Sequence, residues 1–165
     1  MSDRYVAEQP GLYHLAPKGL YVPEGHEVIL IDSCIWIYYF EDHPRYADLI
    51  DAMLTQWVGR GTALLTSELS LLEIKTGPLR REKPSVAAEY QLYLNNFPGL
   101  SLIPIDQSIL NHAARLRARC RIKTPDAIII ATGLEQGATL AITNDQAWKG
   151  IDGMGVVCLE DLAVP

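Results

Sequence analysis

Cysteine is scarce in this chain of 165 residues, and long apolar runs are missing. The three cysteines, Cys34, Cys120 and Cys158, are odd in number, far apart and without a C-x-x-C pair, so the sequence predicts neither a disulfide framework nor a zinc knuckle. The longest apolar stretches, such as 28–31 and 127–131, are far too short to span a bilayer. The N-terminal residues carry acid and proline where a signal peptide needs an apolar core. We therefore expect a cytoplasmic protein with no membrane association.

Motifs of several common enzyme classes are also missing. The sequence contains no G-x-S-x-G nucleophile elbow, no Walker lysine loop and no G-x-G-x-x-G. Its four histidines show no metal-ligand spacing, and we expect them on the surface or satisfied elsewhere: His14, His26, His43 and His112. The three tryptophans fit packing in the core or at its edge better than a base-stacking platform: Trp36, Trp57 and Trp148.

Positive charge is in the minority, and it is unevenly placed. The net charge is −6, yet eight of the fourteen basic residues fall in two clusters, at 80–83 and 115–123. No acid occurs from residue 107 to residue 125. A local basic stripe on an acidic protein can bind phosphates. A solvated helix face or a docking site for an acidic partner explains the stripe equally well.

From residue 27 onward, short apolar runs alternate with helical patterns. Five runs predict strands, at 28–31, 63–65, 100–103, 139–142 and 156–159. A helical pattern opens at Pro44, and the next helix, which contains Glu73, stops before Gly77. Two later helices have Asp106 and Thr124 as their N-caps. This alternation predicts an α/β fold, a doubly wound parallel sheet of about five strands with helices on both faces. We expect residues 1–26 to be an N-terminal extension of uncertain order and residues 27–165 to be the folded domain.

Four acidic residues lie where such a sheet places its chemistry. Asp32 directly follows the first predicted strand and Asp145 follows the fourth, whereas Asp126 opens the preceding helix and Glu73 lies in the helix after the second strand. Ligands of open parallel sheets sit outside the carboxyl ends of the strands, where the strand order reverses. Two carboxylates about 4 Å apart repel by ~4 kcal/mol at an effective dielectric of 20, so a cluster of four needs a cation. Oxygen ligands favour Mg²⁺ or Mn²⁺.

Taken singly, each acid has a purely structural explanation. Asp32 or Asp145 could be only a cap or turn former, and Asp126 complements the dipole of its helix. Glu73 alone would most often be a solvated helix residue. The functional case depends on the set, because the structural explanations do not predict a common rim.

Four segments together resemble PIN domains. These are Ile-Leu-Ile-Asp-Ser-Cys-Ile-Trp-Ile at 29–37, Thr-Ser-Glu-Leu-Ser-Leu-Leu-Glu at 66–73, Thr-Pro-Asp-Ala-Ile-Ile-Ile-Ala-Thr at 124–132 and Leu-Ala-Ile-Thr-Asn-Asp-Gln-Ala-Trp at 140–148. The match is nearest to the VapC-type toxins of toxin–antitoxin pairs. The sequence departs from that pattern in two places: about thirty residues precede Asp32, and Trp148 stands where phenylalanine is usual.

The resemblance implies a Mg²⁺- or Mn²⁺-dependent endoribonuclease with Asp32, Glu73, Asp126 and Asp145 as both metal ligands and catalytic residues. Hydrolysis by metal-activated water would leave a 5′ phosphate and a 3′ hydroxyl. Ser33 and Thr143 could orient a carboxylate or a water without contacting the metal themselves. Four arginines are candidates for gripping the phosphates of RNA: Arg80, Arg81, Arg115 and Arg119.

The same resemblance implies partners. A VapC-like toxin would pair with a small antitoxin protein, and the family commonly forms homodimers, for which Trp57 and several tyrosines could supply a surface. Two alternatives stay open: a PIN nuclease of general RNA processing, and a non-catalytic PIN module that binds RNA or protein. A phosphoacceptor receiver domain is rejected, because Glu160 and Asp161 follow the last predicted strand where that fold has a lysine.

Overall fold

A computed structural model describes residues 25–162 of the chain. Its strands are β1 (Val28–Ile31), β2 (Ala63–Ser67), β3 (Leu100–Ile103), β4 (Leu140–Thr143) and β5 (Gly155–Cys158). Its helices are α1 (Ser33–Phe40), α2 (Ala47–Gly59), α3 (Leu69–Arg80), α4 (Pro84–Asn95), α5 (Gln107–Arg119), α6 (Thr124–Glu135) and α7 (Leu159–Leu162), with a 3₁₀ turn at Gln146–Trp148. All five predicted strands are therefore present: β1 and β3 have the predicted ends, and the ends of the other three differ by at most two residues.

The strands form one parallel sheet in the order β3-β2-β1-β4-β5. From β1 the chain moves outward through β2 to β3, then returns to the other side of β1 for β4 and β5. The strand order therefore reverses between β1 and β4, where Leu30 pairs with Ala141 and Ile31 with Ile142. The carboxyl ends of these two neighbouring strands lead to Asp32 and to Asn144-Asp145.

Helices cover both faces of the sheet because successive side chains of each strand point to opposite faces. Ile29 and Ile31 pack into one fully buried cluster with residues of α1, α2 and α4. Leu30 packs into the second cluster with residues of α5 and α6. The predicted α/β fold with helices on both faces is confirmed.

Helix α1 is absent from the sequence prediction. Its eight residues, Ser-Cys-Ile-Trp-Ile-Tyr-Tyr-Phe, follow the first strand after a single residue. They are buried or half-buried throughout, so the helix has no polar face from which a period of 3.6 residues could be read.

Helix α3 continues through Gly77-Pro78 to Arg80, so the prediction that it stops before Gly77 is wrong. A residue before proline usually avoids helical angles because its Cβ meets the proline ring, and Gly77 has no Cβ. Pro78 is buried and lies in the last turn, and its missing N–H leaves the helix without the backbone bond to the Ile74 carbonyl.

Several helix starts also differ from the prediction. Helix α2 begins at Ala47 rather than Pro44, because a turn precedes it in which the His43 carbonyl accepts the N–H groups of Tyr46 and Ala47. The N-cap of α6 is Lys123 rather than Thr124, which makes Asp126 the third helical residue. The predicted cap of α5 is confirmed, because the Asp106 carboxylate accepts the Ile109 N–H at 2.9 Å.

The tryptophans lie in the interior, as expected. Trp36 and Trp148 are fully buried, and Trp57 is 2% exposed. The prediction that Trp57 contributes to a dimer surface is therefore wrong. Within residues 25–162, no helix is long and apolar enough to cross a membrane. The predicted N-terminal extension over residues 1–26 lies outside the described residues except for its last two.

Candidate active site

A cavity of about 440 Å³ opens at the carboxyl edge of the sheet, beside the reversal between β1 and β4. All four predicted carboxylates line this cavity, although they come from separate parts of the chain. The lining residues are Asp32, Ser33, Cys34, Ile37, Tyr38, Glu73, Asp126, Asn144 and Asp145. No arginine, lysine or histidine of the described residues is among them, so the cavity wall is strongly acidic.

Asp32 is the most deeply placed of the four acids. It is 5% exposed, and its backbone N–H donates to the Ile142 carbonyl at 3.0 Å, which extends the pairing of β1 with β4. Its Oδ2 accepts the Thr143 hydroxyl at 2.6 Å and the Cys34 thiol at 3.2 Å. Burial raises the pKa of the Asp32 carboxyl above its ordinary value, and these donors oppose the rise because they stabilise the ionised form.

The Thr143 hydroxyl joins two of the acids. Thr143 is fully buried at the end of β4, and its Oγ1 accepts the backbone N–H of Asp145 at 3.0 Å while donating to Asp32. The Thr143 hydroxyl therefore acts both as a hydrogen-bond donor and as an acceptor. The hydroxyl fixes the position of the Asp145 backbone relative to the Asp32 carboxylate.

Ser33 lies between Asp32 and Glu73. Its hydroxyl contacts the Glu73 Oε2 and lies 3.2 Å from the Asp32 Oδ1. A hydroxyl has one hydrogen, so it donates to one of these carboxylates at a time. Ser33 and Thr143 therefore both contact carboxylates of the cavity, as a supporting role requires.

Asp126 and Asp145 occupy the other side of the cavity. The Asp145 Oδ1 accepts the Ala147 N–H at 2.8 Å, which caps the 3₁₀ turn. Burial raises the pKa of Asp126, and the negative charge of Asp145 raises it further. Asp126 also lies in the first turn of α6, where the helix dipole favours a negative charge. The charge of Asp145 therefore disfavours ionisation of Asp126 unless a cation is near.

The carboxylate oxygens of the cavity suit a hard cation that keeps some of its water molecules better than a metal ion enclosed by protein ligands alone. Among the described residues, no three side chains of His, Cys, Asp or Glu are arranged so that they could hold one metal ion together. Mg²⁺ commonly keeps several waters and takes one or two direct carboxylates, so such an ion does not need three converging side chains. The four carboxylates around the cavity suit an ion of that kind.

Four lining residues were missed in the sequence: Cys34, Ile37, Tyr38 and Asn144. Three of them lie on α1, the helix that was not predicted. Recognising that helix would have placed them beside Ser33 on one face, because residues four apart share a helix face. Cys34 is half-buried, and burial and the Asp32 charge raise the pKa of its thiol.

The four predicted RNA-binding arginines lie outside the cavity. Arg80 and Arg81 follow Glu73 by about two turns at the other end of α3, and Arg81 forms an ion pair of 2.6 Å with Glu41. Arg115 and Arg119 are exposed on α5, which leads through Lys123 to Asp126 at the rim. Only the second pair therefore lies on a segment that ends at the cavity.

The chain belongs to the PIN domain family, because the family profile matches residues 29–154. No curated protein sequence matches the chain significantly.

The fold is shared with solved VapC structures. VapBC2 from Rickettsia felis, bound to a promoter DNA fragment, is 18% identical with a TM-score of 0.66, over 79% of this chain and 98% of that one. VapBC from Salmonella typhimurium, bound to DNA, is 15% identical with a TM-score of 0.60, over 79% and 96%. VapC20 from Mycobacterium tuberculosis, a Sarcin-Ricin loop cleaving toxin, is 16% identical with a TM-score of 0.56, over 68% and 86%.

Proposed function

We propose that this protein is a Mg²⁺- or Mn²⁺-dependent endoribonuclease and the toxin of a VapBC-type toxin–antitoxin pair. The observation that carries the proposal is the convergence of Asp32, Glu73, Asp126 and Asp145 on one acidic cavity at the strand reversal. Membership of the PIN family and the fold shared with VapC toxins support the same activity.

The four carboxylates would hold the divalent ion. When bound, such an ion supplies the charge that makes water a nucleophile at neutral pH and that stabilises charge developing on the phosphate. Thr143 would keep Asp32 ionised and in place, because its hydroxyl donates to the Asp32 carboxylate and no lining residue carries positive charge. Ser33 would do the same for Glu73.

The products should carry a 5′ phosphate and a 3′ hydroxyl. Cleavage to a cyclic phosphate needs a base that takes a proton from the 2′ hydroxyl; no histidine or lysine of the described residues lines the cavity, and its carboxylates would be occupied as metal ligands. Attack by water avoids that requirement.

The basic end of α5 would guide the RNA strand to the cavity. Arg115 and Arg119 are exposed, and the chain continues from α5 through Lys123 to Asp126. Phosphate contacts by such residues position a strand without reading its sequence. Arg80 and Arg81 are weaker candidates, since Arg81 is paired with Glu41.

Two protein partners complete the proposal. A small antitoxin would bind this chain, since several solved relatives are toxin–antitoxin complexes. A homodimer would cover exposed leucines of the paired helices α3 and α4, namely Leu72, Leu79 and Leu92. These leucines replace Trp57 as the apolar residues that a second copy would contact.

The direct test compares RNA cleavage by the wild type, Asp145→Asn and Asp152→Asn, each with Mg²⁺ or Mn²⁺ and with EDTA. Asp152 is an exposed acid that does not line the cavity, so its variant is the matched control. We expect the wild type and Asp152→Asn to cleave, and Asp145→Asn or EDTA to abolish cleavage. Equal cleavage by Asp145→Asn, or cyclic phosphate ends, would refute the proposed mechanism.

The toxin role needs a separate test. Induced expression of the wild type should arrest growth, and co-expression of a small DNA-binding protein encoded immediately upstream should relieve the arrest. Growth unaffected by an active wild-type nuclease would favour general RNA processing instead.

A further inference from the structure

A tyrosine forms part of the wall of the acidic cavity. Tyr38 and Ile37 are the two larger non-acidic side chains of α1 in the lining, and both are half-buried. They follow Ser33 and Cys34 by one helical turn, so they extend the cavity outward from Asp32 along the same face of α1. An aromatic ring therefore stands beside the carboxylates.

The Tyr38 ring is held by an aromatic cluster. Its centroid lies 5.3 Å from the ring of Tyr46, with 30° between the planes, and 4.6 Å from the ring of His43. Tyr46 is buried, His43 stacks on it at 4.9 Å, and the Arg45 guanidinium lies over it at 5.4 Å. His43, expected far from the site, thus supports a lining residue. These contacts hold the Tyr38 ring in its place at the cavity wall.

The turn that carries this cluster is itself rigid. The His43 N–H donates to the Tyr38 carbonyl at 2.9 Å, and the His43 Nδ1 accepts the Arg45 N–H at 3.2 Å. Within residues 25–162, the Tyr38 hydroxyl forms no hydrogen bond. Tyr38 therefore has a positioned ring whose polar end is not used by the fold.

We propose that a nucleobase adjacent to the cleaved phosphate stacks on Tyr38. The inference rests on the proposed ribonuclease function and adds a binding subsite to it. A phosphate held at the carboxylates by a divalent ion carries its nucleosides with it, and an apolar surface within the same cavity can receive the flat face of a base. Aromatic side chains supply such a surface for any base, because every base has a π-face. A volume of about 440 Å³ leaves room for a base beside the phosphate.

The test combines Tyr38 variants with RNA that lacks single bases. Stacking on an aromatic side chain contributes roughly 1–3 kcal/mol per base, so Tyr38→Ala should lower kcat/KM about 5- to 150-fold on intact RNA. On RNA with an abasic residue next to the cleaved phosphate, wild type and Tyr38→Ala should differ by less than about 2-fold, since there is no base to stack. Tyr38→Phe, which keeps the ring, should recover most of the loss.

A binding measurement removes the dependence on turnover. In the inactive Asp145→Asn background, RNA with 2-aminopurine next to the cleavage site should lose fluorescence when it binds protein with Tyr38 or with Tyr38→Phe. It should keep its fluorescence when it binds protein with Tyr38→Ala. Tyr93→Ala is the matched control, because Tyr93 is also half-buried and packed against other aromatic rings but lines a different cavity. If Tyr38→Ala proves unstable, Tyr38→Leu fills the space over Tyr46 without an aromatic face and should show the same loss.

The outcomes separate the two proposals. No cleavage by the wild type, or undiminished cleavage by Asp145→Asn, overturns the ribonuclease function and the subsite with it. Cleavage by the wild type with an equal kcat/KM for Tyr38→Ala overturns the subsite alone. Unchanged RNA binding together with weaker binding of a protein partner would assign the ring to that partner, and this also overturns the subsite.

Discussion

Replacing Thr143 with valine removes the hydroxyl that donates to Asp32 at 2.6 Å and accepts the Asp145 N–H at 3.0 Å. The two side chains have similar shape, so the main loss is the hydrogen bonds. A bond to a charged group contributes about 1.5–3 kcal/mol, and one pKa unit corresponds to about 1.4 kcal/mol. The pKa of Asp32, already raised by burial, should therefore rise by a further one to two units, roughly.

Metal binding reports this change because the ion needs the ionised carboxylate. Calorimetric titration with Mn²⁺ between about pH 5 and pH 8 should show the midpoint of the pH dependence moving upward by about one to two units in Thr143→Val. Thr143→Ser keeps the hydroxyl and should stay close to the wild type. Superimposable curves for the valine variant and the wild type would show that Thr143 does not control the charge of Asp32.

Further predictions concern stability and RNA binding. A Cβ added to Gly133 would lie 2.7 Å from the Leu30 Cδ2, so Gly133→Ala should lower the free energy of unfolding by about 1–3 kcal/mol, as measured by urea denaturation. Gly59→Ala is the control and should not lower it, because the space around Gly59 is open. Because the folded pKa of Asp32 is raised above 3.8, its ionisation should destabilise the metal-free protein as pH rises from there, and denaturation curves of Asp32→Asn should show a weaker fall. Arg119→Ala should reduce the slope of log affinity for RNA against log salt by about 0.7, and an unchanged slope would exclude a phosphate contact.

The sheet could be read from the sequence because its strands are continuous apolar runs. Val28–Ile31 and Leu140–Thr143 are buried on both faces, and such strands show no competing polar pattern. Asp32 directly follows the first of these strands and Asp145 follows the second after Asn144, so the strand prediction also located both acids at the carboxyl edge of the sheet, where they line the cavity.

The missing features share a physical cause. Helix α1 lies between the sheet and other helices, so burial removes the polar face that marks a helix in a sequence. The ring of Tyr38 could not be assigned to the cavity without that helix. The turn at 41–46, which brings His43 against Tyr38, depends on backbone hydrogen bonds and on Asp42 with a positive φ of 52°, neither of which shows a sequence period.

The alignment of β1 against β4 has a consequence for how this fold tolerates change. Asp32 and Thr143 are 111 positions apart, yet strand pairing rather than the intervening chain brings the carboxylate to the hydroxyl. Insertions between the two strands should leave the distance intact as long as the pairing survives. A slip of one residue along β4 would instead turn Thr143 toward the opposite face of the sheet and separate both aspartates from their shared anchor.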